Sequence, residues 1–170
     1  MFGKIITSAV LATLMLGSSP AAANEVAIAS DVGQVVLPLL AGVCAFRQQR
    51  GPDFLAGLVA QTAIVQGLKR GLGDAAINQR PNGGSQGFPS GHTAAAFYGA
   101  TNLARKCFPD RPALGALAYA AAIAVGVARV QSDNHDTLQV GIGAVIGYYA
   151  NGVTFSASSG HVGIGYTLKF

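Results

Sequence analysis

Beyond residue 31 the chain alternates apolar blocks with short polar breaks, and this alternation predicts five helices, over residues 32–46, 54–68, 93–104, 113–128 and 138–150. Pro38 interrupts the first block, and Gln61, Thr62 and Gln66 punctuate the second. Residues 24–30 read as a small polar lead. In the last block Gly141, Gly143 and Gly147 would let helices approach closely. The tail has a different period. Val162, Ile164, Tyr166, Leu168 and Phe170 alternate with small or polar residues, which predicts a terminal strand, hairpinned through Ser158-Ser159-Gly160 with residues 153–157. No repeat and no low-complexity linker interrupts this order. The expected fold is all-α, a bundle of about five core helices with a short C-terminal β-hairpin.

The first 23 residues stand apart. Lys4 precedes an apolar stretch over residues 5–16, and Ala21-Ala22-Ala23 offers an Ala-x-Ala cleavage site before Asn24. The expected organisation is a 1–23 signal peptide or retained first membrane helix, a 24–152 helical domain and a 153–170 strand-like tail. The apolar blocks run to about 12–16 residues, shorter than the ~20 that cross a bilayer, so buried core helices fit them. Charge placement keeps a second arrangement open. If all the segments crossed, Lys4, Arg47, Arg50, Arg105, Lys106 and Arg111 would share one side and the histidines the other, as the positive-inside rule requires. Either a processed periplasmic domain at the membrane or an integral inner-membrane protein follows, with the histidines facing the periplasm in both.

Composition narrows the classes further. The 170 residues are 51% hydrophobic and 11% charged, which is poor in charge for a soluble domain. Without Lys4, ten bases against seven acids leave about +3, too small and scattered for nucleic-acid binding. Cys44 and Cys107 show no metal-ligand spacing and read as buried thiols, with a single disulfide open to them in an oxidising compartment. His161, in the predicted turn of the tail, reads as a solvated surface residue.

Candidate chemistry gathers in the polar breaks. Lys69 and Arg70 close the second block, and a proline- and glycine-rich stretch carries Arg80 into Pro89-Ser90-Gly91-His92. Ser90 is placed to cap the next helix, whose first free N–H groups would open among these cations. A helix N-terminus carries about +0.5 charge, so the natural occupant is a phosphate-like anion. Farther on, Arg129 precedes His135 by six residues, again at the edge of an apolar block.

With Phe88-Pro89-Ser90-Gly91-His92-Thr93 and the Arg129/His135 spacing, the chain resembles the type 2 phosphatidic acid phosphatase (PAP2) superfamily, which includes class A acid phosphatases and vanadium haloperoxidases. The match runs from Lys69 to about Gly147. The resemblance implies a PAP2-type bundle, His135 as the nucleophile that takes the phosphoryl group, and His92 as the acid for the leaving oxygen. It also implies Lys69, Arg80, Ser90, Gly91 and Arg129 around the phosphate, with no metal and no cofactor. The substrate it implies is a phosphomonoester or pyrophosphate, carried by a lipid where the chain lies at a membrane. Phosphatidate, phosphatidylglycerol phosphate, undecaprenyl pyrophosphate and lipid A phosphate are all compatible. Two other readings are a weakly catalytic phosphate- or head-group-binding protein and a vanadate-dependent haloperoxidase.

Three positions depart from the family pattern. Lys69 lies eleven residues before Arg80 where seven is usual, so either the connection bulges or Arg70 or Gly73 fills the lysine's place. Ala128 replaces a serine. Gln139 replaces the aspartate that orients the nucleophile, and it can accept an imidazole N–H but supplies no charge. A slow enzyme is therefore expected, with Gln139→Asp raising the rate unless a loop-borne Asp133 or, behind it, Asp136 supplies the carboxylate.

Overall fold

The structure, a computed structural model, describes residues 20–159 and 161–167. Five α-helices follow one another: α1 (Pro20–Arg47), α2 (Gly51–Gly71), α3 (Gly91–Asn102), α4 (Pro112–Gln131) and α5 (Thr137–Tyr149). A hairpin of β1 (Val153–Ser158) and β2 (His161–Tyr166) closes the chain. The helical bundle and terminal hairpin agree with the expected fold. The apolar part of the leader lies outside the described residues, and Ala21-Ala22-Ala23 forms part of the first turn of α1.

The helices run past the apolar blocks that announced them. Residues 24–30, expected as a polar lead, are helical, because Ala, Glu, Val and Ile carry no helix-breaking group and α1 continues through them. α4 extends to Gln131, which places Arg129 on its last turn. Length is corrected accordingly: Ile28–Arg47 and Pro112–Gln131 are each 20 residues, long and apolar enough to cross a bilayer. Local chemistry sets the ends. Prolines occupy the first turns of α2 and α4, where a missing N–H costs nothing. Ser90 caps α3 and Asp136 caps α5.

Small residues bring the helices together. The buried cluster is rich in alanine (Ala41, Ala45, Ala96, Ala100, Ala118, Ala122), with Leu37, Phe54, Tyr98 and Val125 between them. α5 packs directly on α3: a Cβ at Gly143 would collide with the Ser90 carbonyl, and one at Gly147 with that of Ala94. Gly141 has open space instead and does not serve this contact. The large side chains face outward, with Val32, Val35, Val36, Leu39, Leu40, Val43 and Phe46 all exposed on α1.

This packing sorts the loops to two ends. The α2–α3 and α4–α5 connections share one end with the start of α1. Arg50, Arg105 and Lys106 share the other: Arg50 reaches Cys107, Arg105 bonds the Tyr148 hydroxyl at 2.8 Å, and Lys106 bonds the Asn151 carbonyl at 2.7 Å. The hairpin docks there through the Phe155 amide, which donates to Asp53 at 2.7 Å. Its alternation builds no core face, since Val162, Ile164 and Tyr166 remain exposed, and His161 opens β2 opposite Ser158 rather than lying in the turn.

Cys44 and Cys107 form a disulfide that ties α1 to the α3–α4 connection at this same end, with Cα atoms 6.2 Å apart. It joins positions 63 residues apart, so it restricts the unfolded chain strongly. Reduction should lower stability by about 2–4 kcal/mol. Thermal unfolding with and without reductant measures the loss, and a Cys44→Ser/Cys107→Ser variant should melt with the reduced protein.

Candidate active site

The α2–α3 connection is an irregular segment whose order comes from one buried amide. Asn78 donates to the Lys69 and Gly73 carbonyls at 2.9 and 2.7 Å and accepts the Phe88 amide at 3.0 Å. Its own carbonyl takes the Gly87 amide at 2.7 Å. Nothing in the sequence around Asn78 marked it. The four extra residues between Lys69 and Arg80 are absorbed by the end of α2, a turn and a short 3₁₀ segment (Ala76–Asn78), so the connection bulges. Lys69 is buried and reaches the Gln86 carbonyl, whereas Arg70 is exposed. Arg80 Nε donates to the Ser85 carbonyl at 3.1 Å, which anchors the guanidinium within its own loop.

α3 begins where this loop ends. The Ser90 hydroxyl accepts the Thr93 amide at 3.4 Å and the Thr93 hydroxyl at 3.0 Å, and the Ser90 amide donates to the Gln139 carbonyl at 2.9 Å. Gly91 and His92 stand in the first turn, where backbone N–H groups have no intrahelical acceptor. Across from them, the His135 amide donates to the Arg129 carbonyl at 3.1 Å, and the Asn82 amide donates to that of Asp133 at 3.1 Å. The two connections are thus stitched together. Gln86 and Asp133, one in each, hold φ of 56° and 52°, a left-handed backbone that side chains other than glycine's seldom adopt.

Gln139 is fully buried at the centre. Its Nε2 donates to the Ile77 and Gln79 carbonyls at 3.1 and 2.7 Å, which fixes the orientation of the amide. Oε1 must then accept, and it receives His135 Nδ1–H at 3.0 Å and the Asp136 amide at 3.3 Å. His135 therefore carries its proton on Nδ1 and presents a lone pair on Nε2. Burial lowers its proton affinity to a pKa of about 4, and the charges of Lys69, Arg80 and Arg129 act in the same direction. Neither aspartate competes for the ring nitrogen that Gln139 holds. Asp136 spends its carboxylate on the Gln139 amide as a helix cap, and Asp133 is exposed.

The cations surround this histidine. Lys69 is lowered to about 8 by burial and by Arg80. Arg129 is buried, and its Nε donor has no hydrogen-bond partner among the described residues. Burial and then Arg129 lower the pKa of His92, while a residue absent from the sequence-based site opposes them. Asp31 of α1 meets His92 Nε2 at 2.8 Å and Arg129 Nη1 at 3.3 Å, and Ser30 meets the same Nη1 at 3.3 Å. The one available signal was that Asp31 is the sole charged residue between positions 26 and 46.

The charges of Lys69, Arg80 and Arg129 act together on a neutral His135, a combination suited to holding an anion. The PAP2 superfamily model matches residues 49–161, and the chain belongs to that superfamily. It is a phosphatase of the PAP2 type. Its fold is similar to the crystal structure of Aquifex aeolicus LpxE, at 24% sequence identity and a TM-score of 0.64, covering 79% of this chain and 86% of that one. No curated protein matches it.

The geometry reverses one expectation. An aspartate at 139 would lose both donors to the Ile77 and Gln79 carbonyls and bring negative charge toward them. Gln139→Asp should therefore lower kcat at least tenfold and cost about 2–6 kcal/mol of stability, since two carbonyls lose their donors at about 1–3 kcal/mol each. Steady-state kinetics beside thermal melts measure both effects.

Proposed function

We propose that the protein hydrolyses a phosphomonoester or pyrophosphate of a lipid through a phosphohistidine on His135. The observation that carries this reading is the tautomer imposed by Gln139, which leaves the His135 Nε2 lone pair among Lys69, Arg80 and Arg129. Nε2 attacks phosphorus as the bond to the leaving oxygen breaks, and His92 gives that oxygen its proton. Water then attacks the phosphohistidine, His92 takes a proton back, and the P–N bond breaks. The cations hold the charged oxygens throughout, and the unpartnered Arg129 Nε supplies a donor that a bound phosphate satisfies.

The outward-facing Val, Leu and Phe side chains of α1 support a lipid substrate. A surface more apolar than its alanine-rich interior suits a bilayer, not water. The bundle then lies in a membrane with the site at one face. Arg50, Arg105 and Lys106 at the opposite end support a periplasmic site; the Cys44–Cys107 bond at that end opposes it, because disulfides persist in oxidising compartments.

His135→Ala should abolish phosphate release from a panel of lipid phosphates and pyrophosphates in detergent micelles while leaving the helical far-UV signal intact. An active alanine variant would remove the mechanism. Inorganic phosphate or vanadate should inhibit competitively, and Arg129→Ala should weaken that inhibition roughly tenfold to a hundredfold, the worth of a charge-assisted contact. The pH profile follows from the two imidazoles. His135 must be neutral, so kcat/KM is lost as pH falls through about 4. His92 must be protonated and titrates below 6.5, so kcat/KM is also lost as pH rises through that lower value. An acid optimum is expected, and a maximum above pH 7 would contradict these assignments.

A further inference from the structure

Asp31 lies on α1, outside the 49–161 stretch that matches the superfamily, yet its carboxylate enters the site. We infer that Asp31 is a positioning residue for His92, holding the leaving-group acid protonated and fixed in orientation. This rests on His92 being that acid. The Asp31 carboxylate is an acceptor, so the His92 nitrogen it meets at 2.8 Å, Nε2, carries a hydrogen. The proton to be transferred is then the one on Nδ1. As the P–O bond breaks, Nδ1–H passes to the leaving oxygen and His92 becomes neutral, with Nε2–H still bonded to Asp31. In the hydrolytic step Nδ1 takes a proton from the attacking water, and Asp31 stays ionised throughout.

The need for such a partner comes from the surroundings of His92. Burial, Arg129 and Arg80 all favour the neutral ring, and Asp31 on α1 alone brings a hydrogen bond and a negative charge against them. Without it, the proton affinity of His92 would fall further. The same carboxylate also meets Arg129 Nη1, which Ser30 supports from the same helix, so the α1 contact positions a phosphate-binding guanidinium as well. A carboxylate within reach of an imidazolium shifts its titration by about one pH unit or more.

The test uses the full chain in detergent with two substrates, p-nitrophenyl phosphate, whose leaving group needs little protonation, and dodecyl phosphate, whose leaving group needs it fully. Asp31→Asn should lose at least tenfold in kcat on dodecyl phosphate and several-fold less on p-nitrophenyl phosphate. Its alkaline limb on dodecyl phosphate should move about one pH unit lower. Asp31→Glu should recover part of the loss, and in a His92→Ala background Asp31→Asn should no longer alter the ratio of the two activities. Equal losses on both substrates with an unmoved limb would assign Asp31 a merely structural role and overturn the inference. So would tighter phosphate inhibition with undiminished kcat, which would make the carboxylate a competitor for the anion pocket. His92→Ala separates the two levels: if it treats both substrates alike, the acid assignment itself fails. If it discriminates and Asp31→Asn does not, only the role of Asp31 falls.

Discussion

The side-chain amide of Gln139 is the contact on which the site depends. It makes four hydrogen bonds in a fully buried position, two as donor to the α2–α3 connection and two as acceptor from His135 and Asp136. No carboxylate could do this, because the Ile77 and Gln79 carbonyls require donors. One residue therefore sets the tautomer of His135, completes the cap of α5 and fastens the loop that carries Arg80. Gly87 is part of the same fit, since a Cβ there would lie 2.7 Å from Gln139 Nε2. A negative charge beside His135 is given up for a fixed loop, and burial together with the positive surroundings keeps the imidazole neutral.

That arrangement needs the ends of four helices and the Ser30–Asp31 stretch of α1 to converge, and small residues make this possible. Gly143 and Gly147 let α5 lie against α3 so closely that the Ser90 amide bonds the Gln139 carbonyl. The first turn of α3 is thereby set beside the segment that carries His135. α1 contributes from the other side through Ser30 and Asp31. Its outer face meets the surroundings with large apolar side chains while its inner face carries Ala41 and Ala45, so helix contact relies on close packing rather than on burial of bulk.

The sequence by itself determined the elements and pointed to the family. Block periodicity marked all five helices, period-two alternation marked the hairpin, and Pro-Ser-Gly-His with Arg129 and His135 carried the family resemblance, because each of these signals is local. Helix length was misjudged where polar residues such as Asn24, Glu25 and Asp31 lie within a helix, since hydropathy blocks register burial and not backbone conformation. Only the tertiary structure decided what depends on distant residues meeting. It showed that Lys69 is buried where Arg70 is exposed, that Asn78 orders the loop, that Cys44 and Cys107 pair, and that Gln139 bonds two carbonyls some 60 residues away. It also brought Asp31 to His92 across 61 positions, a contact set by how α1 packs against α3 and α4 and by nothing in the neighbourhood of either residue in the chain.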